Sequence, residues 1–292
     1  MELIDYHDEG QFFSGHVACA GCVEALSLRV ILNTVGKDAI AVVPPSCGAV
    51  ICAGYPNSAV NIPAFHTTLE SGAASASGVK RALVAQGKPD TTVVCLAGDG
   101  GTYDIGLQAL SSAAERNEDI LYICFDNEGY MNTGGQKSSS TPLNAVTGST
   151  PAGKTTAKKN MIEILAAHRI PYIATTTPGH INDMVAKVKK ATNIRGTRVI
   201  LVLIPCLAGW GVADDAAVKT ARLAVDSGIF PLLEVEDGLN YTLNQDTKNQ
   251  PVDDYLRQQK RYRHLESEAI ANIQAEVDKD WQRLTQRVAS AS

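Results

Sequence analysis

Two sets of residues in this 292-residue chain are suited to chemistry. The first is a set of thiols: Cys19 and Cys22 in HVACAGC, Cys47 in PPSCG and Cys206 in IPCLAGW. Thiolates are soft ligands, and four of them suit either a [4Fe–4S] cluster or a structural Zn²⁺. Ligands spread this widely are less typical of zinc ribbons, whose paired spacings are local. A CxxC alone also serves thiol–disulfide exchange, but such a motif normally follows a strand and opens a helix. Here Cys19-Ala-Gly-Cys22 comes after a polar lead near the start of the sequence. Cys52 is a spare ligand candidate beside Cys47, whereas Cys95 and Cys124 sit inside apolar runs and read as small core residues.

The second set is acidic. Gly98-Asp99-Gly100 is followed by Asp126-Asn127-Glu128, with 25 residues between Gly100 and Asp126. A strand that ends in glycines and turns into a helix leaves backbone N–H groups facing any phosphate placed there. Asp99 offers a hard oxygen, suited to Mg²⁺ rather than to a soft metal. The gap is one helix plus one strand, so the second cluster returns to the same sheet edge, where open α/β sheets bind ligands. Asp99, Asn127 and a backbone carbonyl near Gly129 then form one face of an octahedral Mg²⁺ site that diphosphate oxygens complete. GDG alone is no more than a turn; the matching cluster one βα unit later makes a site the better reading. A dinucleotide site is the rival, but no G-x-G-x-x-G follows a strand. His66, just before a helix of small residues, is a candidate to hydrogen-bond phosphate or to act as an acid–base group, as is His16. His168 and His180 read as structural or solvent-facing, and Lys154, Lys158 and Lys159 as a solvated face rather than a dock for an acidic partner.

The elements that position these residues alternate between strand and helix. Ala39–Val43, Thr92–Ala97, Ile120–Phe125, Tyr172–Ala174 and Arg198–Ile204 are apolar runs that predict buried strands. Thr68–Ala85, Asp104–Arg116, Asn160–Ala167 and Asn182–Ala191 predict helices between them. The rhythm argues for an α/β domain over residues 1–235, with a mostly parallel sheet covered by helices on both faces. Tyr130–Lys158 is polar, has no sustained period and is too long for an idle connection, so it predicts a functional loop. Residues 236–292 predict a C-terminal extension, polar over Leu239–Gln250 and helical over Val252–Ala289.

Bulk composition narrows the class. Hydrophobic content of 45% and charged content of 20% are ordinary for a globular protein. A net charge of −5 gives no reason to invoke nucleic acid or an anionic membrane surface. The first 16 residues lack the basic and apolar segments of a secretory leader, and no apolar run is long enough to span a bilayer. Seven cysteines, two of them in buried-strand patterns, argue against a disulfide scaffold and for a reducing, cytoplasmic setting with thiolate-bound metal.

Taken in order, GHVACAGC, PPSCG, AGDGGTYDIGLQALSSAAER, LYICFDNEGYMNTGGQKSSSTP and IPCLAGWG make a chain that resembles the thiamine diphosphate (TPP)-binding β subunit of the 2-oxoacid:ferredoxin oxidoreductases. The likeness runs from about Gly15 to Val212. It implies the TPP-binding fold, TPP, Mg²⁺ and a [4Fe–4S] cluster as cofactors, and oxidative decarboxylation of a small carboxylate with ferredoxin as acceptor. Carried across, it implies that Cys19, Cys22, Cys47 and Cys206 ligate the cluster and that Asp99, Asn127 and the Gly129 carbonyl bind Mg²⁺. It further implies that Gly98, Gly100, Thr102 and Tyr103 line the diphosphate, and that Asn132 approaches the thiazolium and substrate. The glutamate that activates the aminopyrimidine, and further Fe–S clusters, are expected on partner subunits.

The sequence also departs from pyruvate-type members. They carry GCG where this chain has Gly21-Cys22-Val23, and Tyr-Gly after Thr-Pro where this chain has Leu143-Asn144. An amide in the loop over the active site would suit a second carboxylate, so Asn144 is a candidate substrate contact and oxalate stands beside pyruvate (with CoA) as a candidate substrate. A zinc-stabilised binding protein with no thiamine is the rival outside enzymology.

Overall fold

A computed structural model describes residue 6, residues 8–54 and residues 56–291. The leader-free reading of the first 16 residues therefore rests partly on residues outside the described ones. Among the described residues, eight strands form one sheet: β1 (Ala39–Val43), β2 (Ala64–His66), β3 (Thr92–Gly98), β4 (Leu121–Asp126), β5 (Tyr172–Thr176), β6 (Arg198–Leu203), β7 (Leu233–Glu236) and β8 (Asn240–Leu243). Their order is β2-β1-β3-β4-β6-β5-β7-β8. The first six are parallel, and the hairpin β7–β8 closes one edge antiparallel to β5.

The central strands are aliphatic because both their faces are covered. Side chains alternate along them, so Val94, Leu96, Leu121, Ile123 and Phe125 enter one core, and Val93, Cys95, Ala97, Tyr122 and Cys124 the other. Cys95 and Cys124 are fully buried, as the apolar runs around them implied. The connecting helices are α1 (Val23–Val35), α2 (Cys47–Cys52), α3 (Gly72–Ala85), α4 (Gly100–Tyr103), α5 (Leu107–Glu115), α6 (Met161–Ala167), α7 (Ile181–Thr192), α8 (Leu207–Trp210) and α9 (Ala217–Asp226). Beyond the sheet come α10 (Val252–Leu256) and the long α11 (Ser267–Ala291).

Two elements differ from the sequence reading. The helix expected over Asp104–Arg116 starts only at Leu107, as α5, and a separate short helix, α4, opens before it directly at Gly100. A Cβ on Gly106 would lie 1.8 Å from the Gly101 carbonyl oxygen, so the chain makes this tight break only with glycine there. At the other end, the hairpin β7–β8 spans Val235 and Glu236, so the sheet runs on past residue 235 and part of the polar stretch becomes an edge strand.

Candidate functional site

The sheet topology delivers the chemistry to one edge. Cys47 follows β1, Asp99 follows β3, Asn127 follows β4 and Cys206 lies three residues past β6. These four strands are spatial neighbours and parallel, so all four residues emerge at the carboxyl edge, where α/β sheets bind ligands. Ser46 caps α2 by accepting a hydrogen bond from Ala49 N at 3.2 Å, which fixes Cys47 as the first helical residue. Cys206 caps α8, its Sγ accepting from Gly209 N at 3.3 Å. Cys22 is the N-cap residue of α1, and its N–H donates to the Cys19 carbonyl at 3.0 Å, closing the CxxC turn. Gly21 in that turn has φ +75°, and a Cβ there would lie 2.4 Å from the Asp214 carbonyl oxygen.

Cys19, Cys22, Cys47 and Cys206 line one cavity, together with Glu24, Asn127 and Asn132. Burial pushes the Cys22 thiol up to about 11 and raises Cys47 and Cys206 as well, with Glu24 and the neighbouring thiols adding to the effect. Such a wall holds thiolates only beside a strong positive charge, the condition a bound metal centre supplies. Among the described residues, no three His, Cys, Asp or Glu side chains are drawn in to direct metal-binding spacing; the sulfurs line a cavity wall instead. Cys52, the spare candidate, is the last residue of α2 and is fully buried in the core.

The acidic turn forms a second cavity, lined by Gly98, Asp99, Gly100, Asn127, Gly129 and Asn132 among others. Here one amide atom of Asn127 lies 3.2 Å from Asp99 Oδ1 and 2.8 Å from the Gly129 carbonyl oxygen. With the amide oxygen in that position three oxygens face one another, the donor set of a hard cation such as Mg²⁺. Burial, then the nearby Asp126, pushes the Asp99 carboxyl well above its ordinary range, although Ser138 Oγ donates to Asp99 Oδ2 at 2.5 Å. A divalent ion would relieve that penalty, so both the oxygens and their electrostatics fit one.

A buried network holds this turn from behind. Asp126 accepts from Tyr103 OH at 3.0 Å, Ser140 Oγ at 2.5 Å and Lys158 Nζ at 2.7 Å. Glu128, at φ +63°, pairs with Lys158 at 3.0 Å and Arg261 at 2.5 Å. Burial opposes the Lys158 charge, but Asp126 and Glu128 outweigh it and hold the ammonium's pKa above its ordinary value. Trp210 Nε1 donates to the Asn127 carbonyl at 2.7 Å, tying α8 to the end of β4.

Several expected residues sit elsewhere. Thr102 and Tyr103 are buried, with Thr102 Oγ1 donating to the Gly98 carbonyl and Tyr103 OH committed to Asp126. Their N–H groups both return to the Asp99 carbonyl, so this short helix spends them internally. Gly98 and Gly100 do line the cavity, and a Cβ on Gly100 would meet the Tyr130 ring at 2.2 Å. His66 ends β2 on the same edge, but its Nε2 bonds the Ala53 carbonyl at 3.1 Å. Asn144 adopts φ +67° in a turn whose N–H donates to the Lys154 carbonyl, and it is absent from the described lining of both cavities. Its main-chain N–H therefore braces its own loop, and its side chain is not part of the described wall of either cavity.

The lysines read as a solvated face are structural. Lys154 is buried and donates to the Thr141 carbonyl at 2.5 Å, Lys158 joins the acidic network, and Lys159 donates to the Tyr103 carbonyl. Glu24, Ser138, Ser140, Trp210 and Arg261 were not singled out from sequence. Only Glu24 carries a local signal, a charge on the apolar face of α1 (VEALSLRVIL); it is buried and pushed up to about 8 by desolvation.

Residues 47–202 match the family described as thiamine pyrophosphate enzyme, C-terminal TPP binding domain. The chain is 45% identical to the pyruvate synthase subunit PorB of Methanocaldococcus jannaschii, over 95% of this chain and 97% of that one. It is 43% identical to the ketoisovalerate oxidoreductase subunit VorB of Pyrococcus abyssi, over 94% and 93% of the two chains. A solved 2-oxoglutarate:ferredoxin oxidoreductase from Magnetococcus marinus shares the fold, with a TM-score of 0.63 over 93% of this chain and 97% of that one, at 18% identity.

Proposed function

The chain belongs to the TPP-binding β subunits of the 2-oxoacid:ferredoxin oxidoreductases, and from that premise we propose that it holds Mg²⁺–TPP and a [4Fe–4S] cluster side by side. Asp99, Asn127 and the Gly129 carbonyl hold the Mg²⁺, and Cys19, Cys22, Cys47 and Cys206 the cluster. The observation that carries this reading is shared walls: Cys47, Asn127 and Asn132 line both cavities. A carbanion-stabilising cofactor and a one-electron acceptor must be close for electrons to pass, and no long path separates these two sites. When bound, TPP supplies the decarboxylation chemistry and the cluster a one-electron exit.

This chain's own residues do the positioning. Asp99 and Asn127 would hold the cation, and the Asp126–Lys158–Glu128 network fixes their turn without facing the crevice. Asn132, at the junction of the cavities, is placed to orient the reacting end. From this chain the crevice wall adds Leu69, Tyr130 and Met131, with no Lys or Arg among its described residues to balance a second substrate carboxylate. That lining favours a 2-oxoacid with a small alkyl group, of the pyruvate or 2-oxoisovalerate kind, over oxalate. The partner subunits supply the activating glutamate, the further clusters and the contacts for CoA and ferredoxin. Among the described residues no helix is long and apolar enough to cross a membrane, which accords with a cytoplasmic setting.

The test is anaerobic purification of the whole complex with assay of iron, sulfide, zinc, magnesium and thiamine, then ferredoxin reduction with pyruvate, 2-oxoisovalerate, 2-oxoglutarate and oxalate, with and without CoA. Bound thiamine, four irons per chain at this site and CoA-dependent turnover of an alkyl 2-oxoacid are expected. One zinc per chain and no thiamine would sink the reading.

A further inference from the structure

Asn127 stands between two sets of acceptors, and its amide has a single NH₂ group to offer them. On one side are Asp99 Oδ1 and the Gly129 carbonyl, 3.2 and 2.8 Å from its outer amide atom. On the other are Cys47 Sγ, 3.8 Å from Nδ2, and the Glu24 carboxyl, whose charged form the Asn127 side chain favours. Glu24 is 2% exposed, and among the described residues its Oε1 has no hydrogen-bond partner. The two orientations of the amide suit different states of the sites. Turned one way, NH₂ serves Asp99 and Gly129 and the amide oxygen turns to the Cys47 side, which satisfies both ends. Turned the other way, NH₂ serves Cys47, and three oxygens converge where only a cation reconciles them. A buried polar group facing its own kind costs about 1–3 kcal/mol, so the second orientation needs the cation.

We propose that the Asn127 amide is a two-position coupler between the two sites, an inference that rests on the cofactor reading given above. A divalent cation at Asp99 and Gly129 draws the amide oxygen toward itself and commits the NH₂ group to Cys47. A hydrogen bond to a ligating sulfur stabilises the more negative, reduced cluster and so raises its reduction potential. With the cation side empty, the amide turns over and that bond is lost. The electron acceptor is therefore easier to reduce when the cofactor that feeds it is in place. Because coupling is reciprocal, reduction of the cluster strengthens the pull on NH₂ and tightens Mg²⁺–TPP binding in turn.

The experiment is an anaerobic redox titration of the whole complex, followed by electron paramagnetic resonance of the cluster nearest TPP, before and after stripping Mg²⁺ and TPP. Loading should shift the midpoint potential upward in the native complex. Asn127→Asp keeps an oxygen for the cation but has no NH₂ group, and its upward shift on loading should vanish. Resonance Raman spectra of the native complex in H₂O and D₂O give a reading that needs no variant: loading should make an Fe–Sγ stretch sensitive to deuteration. A midpoint or deuterium sensitivity that loading leaves unchanged overturns the coupling, as does an Asn127→Asp shift as large as the native one. A complex with no cluster or no bound thiamine overturns the functional reading, and the coupling with it.

Discussion

The Arg261 guanidinium lies 3.9 Å from the centre of the Trp210 ring while its Nη2 pairs with Glu128 Oε2 at 2.5 Å. Trp210 closes the helix that begins at Cys206, and Glu128 belongs to the turn that presents Asn127. One side chain from the C-terminal region thus braces both a proposed cluster ligand and a proposed cation ligand. The extension that sequence alone left without a role is part of the frame of the site.

Removing that brace should be costly. Arg261→Ala leaves Glu128 buried with only Lys158, and breaking a buried pair by deleting one partner typically costs about 3–5 kcal/mol. Arg261→Lys keeps the charge but loses the planar stacking on Trp210, so it should recover only part of the loss. Thermal unfolding of the purified complex, with thiamine and iron content per chain, checks both. A fully stable, fully loaded Arg261→Ala complex would contradict the bracing role.

The CxxC turn offers a sharper contrast between two glycines. Gly21→Ala meets both an unfavourable φ of +75° and the Asp214 carbonyl, whereas Gly15→Ala, at φ +85°, has nothing within 4 Å of the new Cβ. Left-handed strain alone costs on the order of 1–2 kcal/mol. Gly15→Ala should pay that in stability and keep its iron. Gly21→Ala should swing Cys19 and Cys22 off the wall they share with Cys47 and Cys206 and lose iron and sulfide, measured by colorimetric assay after anaerobic purification.

These examples also show what the sequence made legible. Strands such as TVVCLAG and RVILVL are recognisable because double burial demands continuous aliphatic runs, and their ends are marked by GDG, DNE and IPC. Once the order of parallel strands is right, the convergence of Cys47, Asp99, Asn127 and Cys206 follows. What sequence hid depends on partners far along the chain. Lys158 looks like a surface charge until Asp126 and Glu128 are seen to be buried beside it, and Arg261 is 133 residues from Glu128. The α4–α5 break was equally hidden, because it is decided by the approach of Gly106 to the Gly101 carbonyl rather than by periodicity.

Asn144 allows its expected role as a substrate contact to be separated from its role in the turn. Its φ of +67° is tolerated by asparagine and favoured by glycine, and its N–H bonds the Lys154 carbonyl. Asn144→Gly should leave stability within about 0.5 kcal/mol and leave KM and kcat for the alkyl 2-oxoacid unchanged. Asn144→Val should cost about 1–2 kcal/mol from strain in the same turn. A rise in KM with unchanged stability in Asn144→Gly would restore Asn144 as a substrate contact.

Glu24 makes the stability of the cluster-free, TPP-free chain depend on pH in a direction opposite to that of a salt-bridged acid. Desolvation raises its carboxyl from 4.5 to about 8, against hydrogen bonds from Asn127 and the Gly48 backbone that lower it. The folded chain therefore keeps a proton that the unfolded chain has already released. Its contribution to stability is whole below about 4.5, falls as pH rises, and is lost by about 8. Each unit of displacement is worth about 1.4 kcal/mol, so the slope across this window should be visible in denaturant unfolding at fixed ionic strength. Glu24→Gln cannot ionise and should remove that slope while leaving the other titrations in place, so the difference between the two curves isolates the carboxyl. Parallel curves for the native chain and Glu24→Gln from pH 5 to 8 would mean that Glu24 is solvated in the cluster-free chain.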